Sequence, residues 1–226
     1  MSNGFHKNSE KADRISPLLS FFDEKHFRRG YHFGMEIGSD ALFPQESPNM
    51  TFDISCFRKA LVVGENATTI VQQIFQCAEP EIFTCEIYEH DGMIGRLGHN
   101  KYLLVDSSNG KMFDGNIDRI PINSDKLLLM RTDFAEFALS GIITERILNE
   151  LTSLNSSSFE LDSFIPCKMG LSDVILTHKE VPFPHLRVIC EPADAYYLFS
   201  TILEISNGMG GALAGANTFI KLVSET

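Results

Sequence analysis

The sequence predicts an α+β fold of two related β-α-β-β lobes, each an antiparallel sheet with helices packed on one face. Three observations carry that prediction. A strand–glycine–helix unit is written twice: Arg58-Lys59-Ala60-Leu61-Val62-Val63-Gly64 before Ile70-Val71-Gln72-Gln73-Ile74-Phe75, and Phe134 to Gly141 before Ile147-Leu148-Asn149-Glu150-Leu151. The two glycines stand 77 positions apart (141 − 64), and Ile70/Ile147, Val71/Leu148 and Ile74/Leu151 keep the offset; self-similarity at a fixed spacing marks a repeated structural unit. Finally, Asp91-Gly92 sits between two apolar runs, a strong hairpin signal.

Taken in order, residues 1–30 read as an N-terminal arm, anchored by Leu18, Leu19, Phe21 and Phe22. Such an apolar cluster packs on its own domain or on a partner subunit. A strand at Tyr31–Ile37 and a loop at Phe43–Asn49 lead into the first lobe, 31–125. Its strand Lys59–Val63 is rich in β-branched residues and ends on Gly64, which permits a tight turn. Asn66 suits the N-cap of a helix over Ala67–Ala78, whose Ile70, Val71, Ile74 and Phe75 form one apolar stripe. Strands follow at Phe83–Tyr88, Met93–Leu97 and Lys101–Val105, then a polar loop, Ser107–Asn123.

The second lobe, 126–206, reads as a bulged strand Leu127–Leu139 and a helix Ile143–Leu154. Strands Ile165–Met169, Val174–His178 and Leu186–Cys190 come next. Pro192 opens a last helix, where proline suits the first turn, and Gly208, Gly210 and Gly211 end it. The glycine-rich tail, 207–226, holds a short strand candidate at Phe219–Val223.

Composition excludes some partners. The net charge of −11 disfavours nucleic acid, which needs clustered Lys and Arg, and adsorption to anionic membranes. No apolar run reaches the roughly 20 residues of a spanning helix. Met1 to Asp13 is polar, without the apolar segment of a secretory signal, so a cytoplasmic location is expected. Cys56, Cys77, Cys85, Cys167 and Cys190 are odd in number and lack a C-x-x-C pair; buried reduced thiols are the expectation.

The chemical candidates each have a plainer reading. Gly95-Arg96-Leu97-Gly98-His99-Asn100 lies between strands, so it reads as a hairpin turn and not a phosphate loop. Gly208–Gly215 reads as a helix cap and connector. The seven histidines include no i, i+4 metal pair, and His90-Asp91 reads as a turn. Gly170-Leu171-Ser172-Asp173-Val174 lacks the second glycine of a nucleophile elbow. Cys167 needs a neighbouring base to act as a nucleophile, and its place comparable to Cys85 suggests two packing positions. Glu79, Glu81, Glu86 and Glu89 surround strands without forming a catalytic pair. No catalytic residue and no metal ligand is assigned, and cofactor-binding residues stay unassigned.

The order of Ser16-Pro17-Leu18, Asp53-Ile54-Ser55, Ala60–Gly64 with its helix, Gly95-Arg96-Leu97-Gly98 before Lys101–Val105, and Phe137–Gly141 with its helix resembles the folate-binding aminomethyltransferase superfamily. That family includes the glycine-cleavage T-protein and the γ subunit of heterotetrameric sarcosine oxidase, and the γ subunits are the members this chain resembles most. The resemblance implies a fold like the T-protein N-terminal domain and a small non-catalytic subunit of a complex that demethylates an amine such as sarcosine. Larger protein subunits would hold FAD, FMN, NAD and tetrahydrofolate, with none in this chain. The methylglutamate dehydrogenase small subunit fits the same pattern.

Some family features have no match. These are the T-protein's acidic residue near the pteridine, the Lys-Gly-Cys-x-x-Gly-Gln-Glu motif of the iron–sulfur maintenance relative (here Pro166-Cys167-Lys168-Met169-Gly170), and a helix between the halves. The alternatives are a stand-alone tetrahydrofolate-binding aminomethyltransferase-like protein, using the groove between lobes with Phe83, Phe113 or Tyr102 to stack the pterin, and a scaffold that keeps only the fold. The expected contact surface is Leu18–Phe22 plus the glycine-rich tail.

Overall fold

The repeat becomes two copies of one strand order. The computed structural model describes residues 14–25, 27–41, 47–88, 91–106, 110, 112–114, 116–120, 127–155, 159–180 and 183–224. Along them run β1 (Arg14–Ile15), α1 (Leu19–Glu24), β2 (Phe27–His32), β3 (Met35–Ala41), β4 (Met50–Asp53), β5 (Lys59–Val63), α2 (Ala67–Phe75), β6 (Cys85–Tyr88), β7 (Gly92–Gly98) and β8 (Lys101–Val105). After a 3-10 turn at Ile117–Arg119 come β9 (Leu128–Thr132), β10 (Ala135–Ser140), α3 (Ile143–Leu151), β11 (Phe164–Met169), β12 (Ser172–Lys179), β13 (His185–Cys190), α4 (Pro192–Gly208), β14 (Ala212–Ala214) and α5 (Ala216–Ser224).

One sheet has the order β6-β7-β8-β5-β9 and the other β11-β12-β13-β10-β4-β14. The unit β5-α2-β6-β7-β8 therefore recurs as β10-α3-β11-β12-β13, each an antiparallel sheet with its helix on the outer face. A third sheet, β1-β3-β2, flanks them.

The two copies exchange strands. The strand before each unit pairs with the other unit: β4 with β10, and β9 with β5. Segments 31–125 and 126–206 thus each lend a strand to the sheet of the other. The single strand expected over Leu127–Leu139 is two strands, β9 and β10, in different sheets. The polar run Arg131-Thr132-Asp133 marks the break in the sequence, but a bulge within one strand reads the same way.

Three apolar layers result. Ala60, Val62, Ile94 and Leu104 pack beneath α2, with Phe75 and Tyr102. Phe137, Leu139, Val188 and Leu198 pack with α1, α3 and α4 on the outer face of the six-stranded sheet. Between the sheets lie Phe52, Phe57, Leu103, Ala138, Phe164 and Phe219. The sheets meet closely at Gly95, where an added Cβ would stand 2.4 Å from the Phe164 ring. Gly141, at φ +89°, turns β10 into α3, and a Cβ there would meet the Pro48 carbonyl oxygen at 2.2 Å.

Several expectations are corrected. Phe219–Val223 is helical, within α5, and buries Phe219 and Val223 one turn apart; so short a segment fits either period. Leu18–Phe22 is no contact arm: Leu18 and Phe22 are fully buried, and Phe21 and Phe22 pack against Phe199. The glycine-rich segment likewise enters a sheet, through β14 beside β4. The strand expected over Tyr31–Ile37 is a hairpin, because Phe33 and Gly34 take left-handed conformations (φ 48° and 77°). Asn66 stands at the N-cap of α2 but makes no side-chain cap bond; Ala67 N–H donates to Gly64 O instead, at 2.9 Å. Glu89-His90, part of the expected hairpin turn, lies outside the described residues.

Candidate functional site

Charge lies buried where the two units meet. Lys59 on β5 and Glu136 on β10 hold equivalent places in the repeat, 77 residues apart (136 − 59), and both point into the middle layer. Their side chains are fully buried, with Lys59 Nζ 3.0 Å from Glu136 Oε2. Arg187 on β13 is also fully buried, its Nε 3.3 Å from Glu136 Oε1. These are close charge pairs without good hydrogen-bond alignment at the carboxylate. The backbone supplies the aligned bonds. Lys59 Nζ donates to Phe57 O at 2.7 Å, and Arg187 Nη1 donates to Asp91 O at 2.9 Å. The guanidinium also lies over the rings of Phe57 and Phe219.

Beside this network, Asp53 accepts a bond from Ser16 Oγ at 2.6 Å and from the Ser55 N–H at 3.0 Å. Burial raises the Asp53 carboxyl above its ordinary range. A buried charge needs a partner of opposite sign. Equivalent positions of a duplicated unit touch here, so a charged pair at them must have diverged in sign.

His185, at the start of β13, sits between the rings of Phe183 and Phe219. Its Nδ1 is 2.7 Å from Phe183 O, a contact that assigns the proton to Nδ1 and leaves Nε2 buried without a partner. Burial, helped by the Arg187 charge, pulls its pKa down to about 3 from 6.5. Below pH 6.5 the unfolded chain therefore binds a proton that the folded chain refuses. His185 thus removes stability as pH falls from 6.5 towards 3: about 3 kcal/mol by roughly pH 4.5. The raised Asp53 carboxyl acts in the opposite direction, favouring the folded state as pH drops towards the ordinary carboxylate range. The slope of unfolding free energy against pH should flatten between pH 6.5 and 4.5 in His185→Gln, whatever that substitution costs at neutral pH.

A mostly apolar groove of about 320 Å³ opens between the sheets on one side of the network. Leu61, Leu97, Phe134, Ile175 and Ile189 line it, and Lys101, Asp173 and Glu191 also contribute to its lining. The aromatic residues expected to stack a pterin are not gathered there. Tyr102 points into the α2 layer, its hydroxyl 2.8 Å from Thr68 Oγ1. Phe113 is buried in the same layer under Arg58, and Phe83 stands half-exposed away from the groove. Alternation along β8 sends Tyr102 to the outer face and Leu103 to the inner one.

Glu79, Glu81 and Glu86 do come together, with Thr84 and Asp162, around a second cleft. Cations already hold two of these acids: Arg96 meets Glu79 at 2.6 Å and Lys179 meets Asp162 at 2.9 Å.

The thiols are poor nucleophiles, since burial raises Cys56, Cys77 and Cys85 and pushes Cys167 to about 11 and Cys190 to about 12. Only the thiolate attacks. Cys85 and Cys167 are not equivalent positions either: Cys85 faces the middle layer and Cys167 the helix layer. Among the described residues no group of three His, Cys, Asp or Glu is placed to hold a metal. Sequence reading missed Lys59, Glu136 and Arg187. The available signal was three charges at inward positions of apolar strands, two of them at the repeat offset.

No family model matches the sequence, and no curated protein matches it. Solved structures do. The glycine cleavage system aminomethyltransferase T of Bartonella henselae matches with a TM-score of 0.71 at 13% identity, over 90% of this chain. The fold is that of the aminomethyltransferases. This chain spans 60% of the length of that aminomethyltransferase. A chain of the heterotetrameric sarcosine oxidase of Corynebacterium sp. U-96, solved with pyrrole 2-carboxylate, matches with a TM-score of 0.59 at 11% identity; the match covers 87% of this chain and 96% of that one. The aminomethyltransferase-like α+β fold implied by the sequence resemblance is therefore present.

Proposed function

We propose that this chain is the small, non-catalytic subunit of a sarcosine-oxidase-like, folate-linked complex that demethylates a secondary amine. The observation that carries the reading is reciprocal coverage: the likeness takes in 87% of this chain and 96% of a chain from a hetero-oligomeric oxidase. Three features of the site support it. The charges at the junction of the units are matched internally, burial raises the pKa of the thiols, and the acids among the described residues of the groove, Asp173 and Glu191, are exposed.

By resemblance, FAD, FMN, NAD and tetrahydrofolate belong to the larger subunits. The described residues of the groove do not fit a pterin. Phe134 is the one ring lining the groove. The groove's Asp173 is 83% exposed and bound to Lys168 at 2.7 Å, and Glu191 is exposed too, so among the described residues of the groove there is no buried carboxylate. No helix among the described residues is long and apolar enough to cross a membrane, and we place the complex in the cytoplasm.

Purification of the tagged chain from its native source tests the reading. Larger polypeptides carrying flavin absorbance should co-elute with it in fixed proportion. A monomer that elutes without flavin or companion chains would contradict the proposal.

A further inference from the structure

The two sheets differ by one strand, and the difference falls at equivalent places. In the six-stranded sheet the exchanged strand β4 is flanked on its outer side by β14, which runs parallel to it with Ala212 opposite Met50 and Ala214 opposite Phe52. In the five-stranded sheet the exchanged strand β9 holds the matching place, yet among the described residues it pairs on one side only, with β5. Alternate N–H and C=O groups of such an edge strand point outward, a ready template for a further strand.

Side chains continue the pattern. Met130 and Leu128 are 40% and 45% exposed. They pair across the ladder with Leu61 and Val63, so they share the inward face on which Leu61 lines the apolar groove. Leu128 and Met130 thus lie on the same sheet face as Leu61, between that groove residue and the sheet edge.

We infer that the outer edge of β9 docks an extended strand of the larger partner subunit, running parallel to β9 as β14 runs parallel to β4. The partner's strand supplies main-chain bonds to the edge and sets apolar side chains at alternate positions against Leu128 and Met130, a recurrent mode of strand addition. A second copy of this chain is a poorer occupant, because each copy carries a net charge of −11 and like-charged surfaces repel. The inference rests on the subunit reading above, and the test separates the two.

The tagged wild-type chain, Leu128→Lys/Met130→Lys and the control Leu171→Lys (87% exposed in the β11–β12 turn) are purified in parallel from the native source. The wild type and the control should retain the flavin-bearing subunit. The double variant should lose it about tenfold or more, with an unchanged melting temperature for the isolated chain. Hydrogen exchange of residues 128–132 should also be slower in the complex than in the isolated wild-type chain, a readout independent of the variant's folding. Full retention by the double variant, or unchanged exchange in the complex, overturns the β9 edge and leaves the subunit reading intact. A wild-type chain that brings down no larger subunit overturns both. A wild-type homodimer that the double variant dissociates assigns the edge to a second copy and overturns the inference as stated.

Discussion

Glu136→Gln should lower the unfolding free energy by about 3–5 kcal/mol, read from urea denaturation at neutral pH. The carboxylate is fully buried and stands between two fully buried cations, Lys59 at 3.0 Å and Arg187 at 3.3 Å. Removing its charge leaves Lys59 with backbone carbonyls and Arg187 with the more distant Asp91 carboxylate at 4.0 Å, in a layer where water cannot replace the lost partner. Lys59→Met should cost less than Glu136→Gln, because Arg187 still neutralises the remaining carboxylate. The two substitutions share a contact, so their combined cost should fall short of the sum by about 0.5–3 kcal/mol. A loss below about 1 kcal/mol for Glu136→Gln would show that the network does not hold the two units together.

Phe22→Ala should cost about 3–5 kcal/mol, a second effect of the same size and different origin. Phe22 is fully buried. Its ring centroid stands 4.8 Å from that of Phe27 and 5.7 Å from that of Phe199, and it lies flush against β3, where a Cβ added at Gly38 would meet it at 2.4 Å. Truncation opens a cavity bounded by a short helix, a sheet and α4, elements that collapse poorly into it. Against typical stabilities of about 5–15 kcal/mol, the melting temperature must fall visibly. The sequence alone implied the opposite, a contact arm whose loss leaves the melt unchanged. An unchanged melt for Phe22→Ala would restore that picture.

The repeat was legible because both of its marks are local. Gly64 and Gly141 punctuate strand and helix, and the apolar stripes after them keep one offset. What stayed hidden was set by distant partners. Nothing local tells which sheet Leu128–Thr132 or Ala135–Ser140 joins, and only pairing across the chain sends them to different ones. Leu18–Phe22 looked like an arm because its cover, Phe199 on α4, lies almost 180 residues away. Lys59 stands first in the expected strand with nothing to mark it as buried, and its burial makes sense only beside Glu136 and Arg187. For the candidate site, the sequence assigned no catalytic or metal residue; of the aromatic residues it offered to a pterin, Tyr102 is turned away by strand alternation, and Phe83 and Phe113 lie in turns outside the groove.

The most direct test of the account is a calorimetric titration of the isolated chain with tetrahydrofolate. A chain that contributes contact and no ligand site of its own should show no saturable heat at micromolar ligand. Stoichiometric micromolar binding would contradict it and favour the stand-alone folate-binding protein instead.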